Sequence, residues 1–150
     1  MQLTLFSDYS LRILLYLSMH RARRVTVPEI SAAYGISQNH LVKVVQLLIT
    51  EGLVESTRGR GGGLTLAKEP ADINVAAVVR RTEPHLDLVE CFDAKTNTCP
   101  IDGACGLKLA LVQAQRAFFA ELEKYTLATF APRAPALITL WKRQMKEHPA

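Results

Sequence analysis

Residues 37–66 constrain this chain more than any other stretch. Leu41, Val44, Val45 and Leu48 recur at i, i+3, i+4 and i+7, the spacing of a helix with one buried stripe. Asn39, Lys43, Gln46 and Thr50 fall on the opposite side. Ser37 suits the N-cap of this helix, predicted over Gln38–Glu51, and Gly52 suits its end. Leu53–Thr57 then reads as a strand, Arg58-Gly-Arg-Gly-Gly-Gly63 as a turn, and Leu64–Leu66 as the returning strand. A helix with an apolar back and a polar front, followed at once by a basic hairpin, is the plan of a winged helix-turn-helix.

The upstream residues supply the other helices of that plan. Ser7 and Asp8 both suit the N-cap of a first helix ending near His20, with Leu11, Leu14 and Leu15 on its apolar face. Val25–Val27 reads as a very short strand. Pro28 suits the first turn of a second helix that runs to Tyr34 and ends at Gly35. The expected fold is mainly α with a small β-hairpin, residues 1–72 forming a winged helix-turn-helix DNA-binding domain. Charge agrees with this. Residues 1–68 carry 8 Lys and Arg against 4 Asp and Glu, whereas residues 69–150 carry 10 of each. The whole formal net charge of +4 therefore sits in the first half, where a polyanion is attracted.

The candidate DNA contacts follow from chemistry. Ser37, Gln38, Asn39 and His40 form the first turn of the third helix, and Lys43 lies one turn on. Gln and Asn amides can pair bidentately with adenine in the major groove, and Lys can meet phosphate. Periodicity alone fits an ordinary helical hairpin with a solvated face equally well; the basic turn tips the reading toward DNA. There Arg58 and Arg60 supply charge, and the glycines permit close approach to a sugar–phosphate backbone. The same turn matches neither nucleotide-binding template, since Gly-Lys-Ser/Thr is missing and position 64 is Leu.

Downstream of a connector at Lys68–Asp72, Asn74 suits the cap of a short helix over Val75–Thr82. Residues 73–106 are expected to hold this helix and a loop. Leu107–Ala131 reads as one long helix, about 37 Å at 1.5 Å per residue. Leu107, Leu111, Ala114, Phe118, Leu122 and Tyr125 give it a near-heptad stripe, so 107–131 is expected to pack on a second copy as a dimerisation helix. Residues 132–150 follow as a C-terminal tail, with an amphipathic helix near Ala136–Lys146.

The only three cysteines, Cys91, Cys99 and Cys105, lie in that loop. No apolar run reaches the roughly 18–20 residues that a membrane span needs, and no signal peptide is evident, so a cytoplasmic, reducing setting without membrane attachment is expected. Clustered thiols there more often ligate metal or do redox chemistry than form a disulfide framework. The spacing lacks the paired C-x2–4-C knuckles of zinc sites. It suits an iron–sulfur cluster, which is bulkier than one ion. A fourth ligand could come from His85, Asp102, Asp8 or His20. Neither a nucleophile elbow nor a metalloprotease motif appears, so an enzyme is not expected.

The runs Phe6-Ser-Asp-Tyr-Ser-Leu-Arg12, Val27-Pro-Glu-Ile-Ser31, Ile36-Ser-Gln-Asn-His-Leu-Val-Lys43 and Arg58-Gly-Arg-Gly-Gly-Gly63 resemble the bacterial winged-helix iron–sulfur repressors. The second half is similar to the nitric-oxide-sensing branch of that family through Thr82-Glu-Pro84, Leu88-Val-Glu-Cys-Phe92, Cys99-Pro-Ile101, Cys105-x-Leu-Lys108 and Tyr125-Thr-Leu-Ala128. The resemblance covers about residues 1–130. It implies that Cys91, Cys99 and Cys105 hold the cluster, [4Fe–4S] in preference to [2Fe–2S]. In some members a His three residues past the last Cys completes the site; here that position is Lys108. In nitric-oxide-sensing members an Asp at the start of the first helix of the other subunit can be the fourth ligand, and Asp8 matches it. The implied activity is that of a homodimer that represses transcription from palindromic operator DNA until nitric oxide nitrosylates the cluster and displaces Asp8. Two other readings stay open: a winged-helix regulator sensing iron or redox state through [2Fe–2S], and a small redox enzyme that kept the fold.

Overall fold

The structure is a computed structural model, and it describes residues 2–147. Helix α1 spans Leu5–Met19, α2 Val27–Tyr34 and α3 Gln38–Thr50. Strands β1 (Val54–Thr57) and β2 (Gly63–Leu66) form an antiparallel hairpin with Val54 opposite Leu66 and Thr57 opposite Gly63. Helices α4 (Val75–Thr82), α5 (Gly106–Leu122) and α6 (Ala134–Glu147) follow. The winged helix-turn-helix plan is present, and the expected strand at Val25–Val27 reduces to one bridge between Val25 and Leu64.

The helix starts follow side-chain capping. Thr4, rather than Ser7 or Asp8, is the N-cap of α1, its hydroxyl accepting from the Ser7 amide at 3.2 Å. The expected start was one turn late because Ser7 does different work: its hydroxyl is buried and hydrogen-bonds Thr82 at 2.7 Å. Thr26 caps α2, and Gly35 ends it at φ +65°, a left-handed conformation that favours Gly. Ser37 caps α3 and Asn74 caps α4, as the sequence predicts.

The core lies between α1 and the helix-turn-helix. Ile13, Leu14 and Leu17 of α1 meet Ile30 and Ala33 of α2, Leu41, Val44, Val45 and Leu48 of α3, and Leu53, Val54 and Leu64 of the hairpin. The stripe read from the sequence of α3 is the buried face of that helix.

The single long helix over 107–131 is not formed. α5 stops at Leu122, about 25 Å long at 1.5 Å per residue. The reason lies in the backbone beyond it. The start of α4 takes the next carbonyls: Asn74 Nδ2 donates to the Glu123 oxygen at 2.7 Å, and the Val75 amide donates to the Tyr125 oxygen at 3.0 Å. The Leu127 amide donates to the Ile73 oxygen at 3.1 Å, Leu127 is buried, and Leu127–Arg133 winds as a 3-10 segment. These bonds turn the chain back to α1.

That turn gives the tail a place in the core. α6 lies along α2 and buries Trp141, the only Trp, with ring centroids 4.6 Å from Tyr16 and 5.6 Å from Tyr34. Tyr16 in turn donates its hydroxyl to Glu29 at 2.8 Å. Burial first, and then Glu29, push the Tyr16 phenol up to about 12, so it stays a donor at any working pH. Residues 134–147 thus pack on the helix-turn-helix half of the chain. Trp141→Ala is expected to destabilise the protein by about 3–5 kcal/mol, whereas Arg143→Ala, at an exposed i,i+4 pair, should stay within about 0.5 kcal/mol. Urea unfolding followed by far-ultraviolet circular dichroism checks both; equal midpoints would mean that α6 is not anchored in the core.

Candidate nucleic-acid interface and cysteine loop

The amphipathic split of α3 fixes which of its side chains face the surroundings. With Leu41, Val44, Val45 and Leu48 buried, Gln38, Asn39, His40, Lys43, Gln46 and Thr50 are all exposed. Ser37 is exposed too, but its hydroxyl caps the helix by accepting from the His40 amide at 3.4 Å. The Tyr9 ring of α1 lies 6.4 Å from the His40 ring, which borders the start of the face.

Arg58 and Arg60 are exposed on the turn between β1 and β2. The tight turn requires its glycines. Gly61 has φ +78°, and a Cβ on Gly62 would stand 2.3 Å from the Thr57 carbonyl. Ion pairing sorts the basic residues of this half. Arg12, Arg21 and Arg23 are taken up by Asp8, Glu69 and Glu29. Among the described residues Arg24, Lys43, Arg58, Arg60 and Lys68 form no ion pair within 4 Å. Within this half the unpaired cations thus lie on α3, the hairpin turn and their flanks, where Coulomb attraction reaches a polyanion unspent.

The three cysteines lie in one irregular segment and are free and half-buried. Cys91 sits in a 3-10 turn over Glu90–Phe92, Cys99 follows the loop, and Cys105 is the N-cap of α5. Their neighbours close the loop. The Glu90 carboxylate accepts from the Thr98 amide at 2.9 Å and the Thr98 hydroxyl at 2.7 Å, joining the residue before Cys91 to the residue before Cys99. Those two bonds hold Glu90 below the usual carboxylate range. Lys108 pairs with Asp102 at 2.5 Å. Its pKa is raised mainly by the hydrogen bond to Asp102.

The candidate fourth ligands are placed as follows. Asp102 is engaged by Lys108. His20 stacks on Tyr16 at 4.2 Å between centroids and bonds the Tyr16 carbonyl at 2.8 Å, so it belongs to the core. His85 lines a largely apolar cavity of about 250 Å³ with Leu3, Leu86 and Phe118. Asp8 is not a cap; its two oxygens take Arg12 Nε at 2.8 Å and Nη2 at 2.7 Å. The i,i+4 spacing of Asp8 and Arg12 could have signalled that pair from sequence. Among the described residues no three His, Cys, Asp or Glu side chains gather closely enough to hold a single metal ion. The three thiols and Asp8 are therefore not assembled into such a site within one chain.

Cys105 carries two separable roles. Its sulfur accepts from the Lys108 amide at 3.4 Å, capping α5, although sulfur is a weak acceptor. In protein free of iron, Cys105→Ser should be more stable than Cys105→Ala by about 1 kcal/mol, because a hydroxyl caps well and a methyl does not. Urea unfolding of the two variants measures this, and identical stabilities would show that the cap contributes nothing.

Comparison with known proteins places this architecture. A family profile described as "Rrf2: Iron-dependent Transcriptional regulator" matches residues 3–133. The "HTH-type transcriptional regulator NsrR" of Bacillus subtilis (strain 168) is 45% identical over 148 residues, covering 98% of this chain and all of that one. The regulator of the same name from Shouchella clausii is 48% identical over 128 residues, covering 85% and 86%. In fold, the chain is similar to "T. potens IscR", with a TM-score of 0.71 at 23% identity over 89% of this chain and 88% of that one. It is also similar to the cysteine regulator CymR of B. subtilis, with a TM-score of 0.70 at 22% identity over 88% and 97%. The relatives are named as regulators of transcription rather than as enzymes, and no described helix is long and apolar enough to cross a membrane. The three-helix core, the basic wing and the matched length have one explanation: this chain belongs to the Rrf2 family of DNA-binding transcriptional regulators.

Proposed function

We propose that the protein is a homodimeric repressor that senses nitric oxide through an iron–sulfur cluster, [4Fe–4S] in preference to [2Fe–2S]. Cys91, Cys99 and Cys105 hold the cluster, with Asp8 supplied by the other subunit. The observation that carries this reading is the position of Asp8 and the thiols relative to one helix. Asp8 lies in the first turn of α1, the helix on which α3 packs. The same turn is stapled to the start of the cysteine segment: Ser7 bonds Thr82, and Glu83 accepts from the Thr4 amide at 2.8 Å. An event at the loop thus bears mechanically on the helix behind the recognition face, which gives two sites and one link.

The donor set fits such a group. Three soft thiols, none in a disulfide, flank a loop closed by Glu90–Thr98, and a cluster bridges thiols set too wide for one ion. When bound, the cluster supplies iron that reacts with nitric oxide. The chain's own residues do the rest. The carboxylate of Asp8 is an exchangeable donor, since Arg12 stands ready to take it back. For the dimer, α5 exposes Leu107 and Leu109, apolar surface of the kind that a second copy covers.

For the DNA face, Gln38, Asn39 and His40 meet base edges, while Lys43, Arg58 and Arg60 meet phosphates, with Ser37 fixing the helix start. Lys43→Ala and Arg60→Ala should each weaken binding to duplexes that the protein itself enriches from a random library. Each should also reduce the slope of log K against log salt by about 1. Unchanged slopes for both variants would remove α3 and the hairpin from the interface.

The sensing reading is tested by anaerobic nitric-oxide titration, with visible spectra and DNA binding followed on one sample. Binding should fall in step with loss of a broad band near about 400 nm, whereas several visible bands would favour [2Fe–2S] and iron or redox sensing. Asp8→Ser should leave the cluster less stable, and Asp8→Cys should slow its reaction with nitric oxide. Mixed dimers of Asp8→Ser with Cys99→Ala should keep one intact cluster site; a mixed dimer with none would overturn ligation across subunits.

A further inference from the structure

The exposed face of α3 holds one residue that polar readout does not use. Val42 is 53% exposed, in the fourth position of a run, Asn39 to Lys43, in which only Leu41 is buried. Gln38 and Gln46 lie one turn before and after it, and Asn39 lies three residues before, so Val42 is bracketed by exposed amides on the same side of the helix. A lone exposed aliphatic residue needs no explanation by itself; this one stands inside the face that the domain presents to DNA. Helix formation does not account for it, because Val is a poorer helix former than Ala or Gln at an exposed position. Packing does not account for it either, because the buried side of α3 is filled by Leu41, Val44, Val45 and Leu48.

The major groove offers one apolar feature, the 5-methyl group of thymine. A Val side chain suits it. Two methyl groups on Cβ give a wide apolar contact, and in a helix χ1 is almost fixed, so little rotamer freedom is lost on binding. The flanking amides can satisfy the polar edges of the same and adjoining base pairs. We infer that Val42 is a specificity-determining residue that packs on a thymine methyl group in each half-site, between bases met by the amides of Gln38, Asn39 and Gln46. The inference rests on the proposal that α3 enters the major groove, and it adds an apolar, methyl-reading position to a face otherwise described by hydrogen bonds and charge.

The test uses the full-length protein, purified anaerobically, and duplexes that it enriches from a random library. Each thymine is replaced in turn by deoxyuridine, which removes only the methyl group. The unmodified protein should lose about fourfold in affinity at one thymine per half-site, the factor that one buried methyl group contributes. Val42→Ala should bind the thymine duplex more weakly by a similar factor and should not distinguish thymine from deoxyuridine at that position, while its response at every other thymine is unchanged. If Val42→Ala reproduces the parent's thymine-to-deoxyuridine pattern at every position, Val42 reads no methyl group and the inference fails alone. If the parent enriches no sequence at all, the recognition-helix reading fails, and this inference fails with it.

Discussion

Burial of α1 is the constraint on which the other elements depend. One helix places Ile13, Leu14, Tyr16 and Leu17 at 3% exposure or less, each a large side chain contributing about 1.5–3 kcal/mol by leaving water. Around it pack α3, α4, β2 and the 3-10 segment after α5. Because α1 is enclosed on so many sides, its ends become the points where other parts attach. The N-terminal turn holds Ser7, bonded to Thr82, and Asp8, paired with Arg12. Further along, Tyr16 reaches Glu29 and carries Trp141. A central helix enclosed in this way also explains why α3 can keep its front, polar but for Val42, in water: its position is set from behind.

The electrostatics of the DNA-binding half follow from the same geometry. A net positive count in the sequence says only that a polyanion is attracted. Folding consumes three of those cations in ion pairs, with Arg12, Arg21 and Arg23 bound to Asp8, Glu69 and Glu29. Exposed pairs of this kind contribute about 0–1 kcal/mol each to stability. Their larger consequence is to leave Lys43, Arg58 and Arg60 as unspent charge beside the exposed amides of α3. The face with unpaired charge is therefore also the face with exposed amides, the combination that sequence-specific DNA binding requires.

What the sequence shows and what it hides differ by the range of the interaction. The buried stripe of α3, the hairpin, and the caps Ser37 and Asn74 are written in spacings of one to seven residues, and the structure has them as read. The start of α1 is hidden because the value of Ser7 lies in Thr82, 75 positions away. The end of α5 is hidden because a near-heptad stripe continues through Tyr125, while the carbonyls needed to continue the helix are claimed by Asn74 and Val75. The place of the tail is hidden because its helical pattern says nothing of Tyr16 and Tyr34, the rings that receive Trp141. At the site, the thiols and the exposed polar face were legible by residue type. The clasp of Glu90 on Thr98 was not, since it depends on where a backbone turns.

The cysteine segment stands apart from the rest of the molecule in what holds it. Between Thr82 and Phe119 no residue is buried. Its order rests on side-chain hydrogen bonds at Glu90, Asp93 and Asp102 and on one glutamine, Gln115, donating to the Leu86 carbonyl. Such contacts contribute little net free energy each, because water competes for the same groups, so a segment of this kind lies at the low-stability end of a protein. Its apolar residues Val89, Ile101, Leu107 and Leu109 remain in water in the single chain. The segment begins directly after Glu83, the carboxylate that holds the first turn of α1 through Thr4. The part of the molecule with the fewest buried side chains is thus joined, through two hydrogen bonds, to its most buried helix.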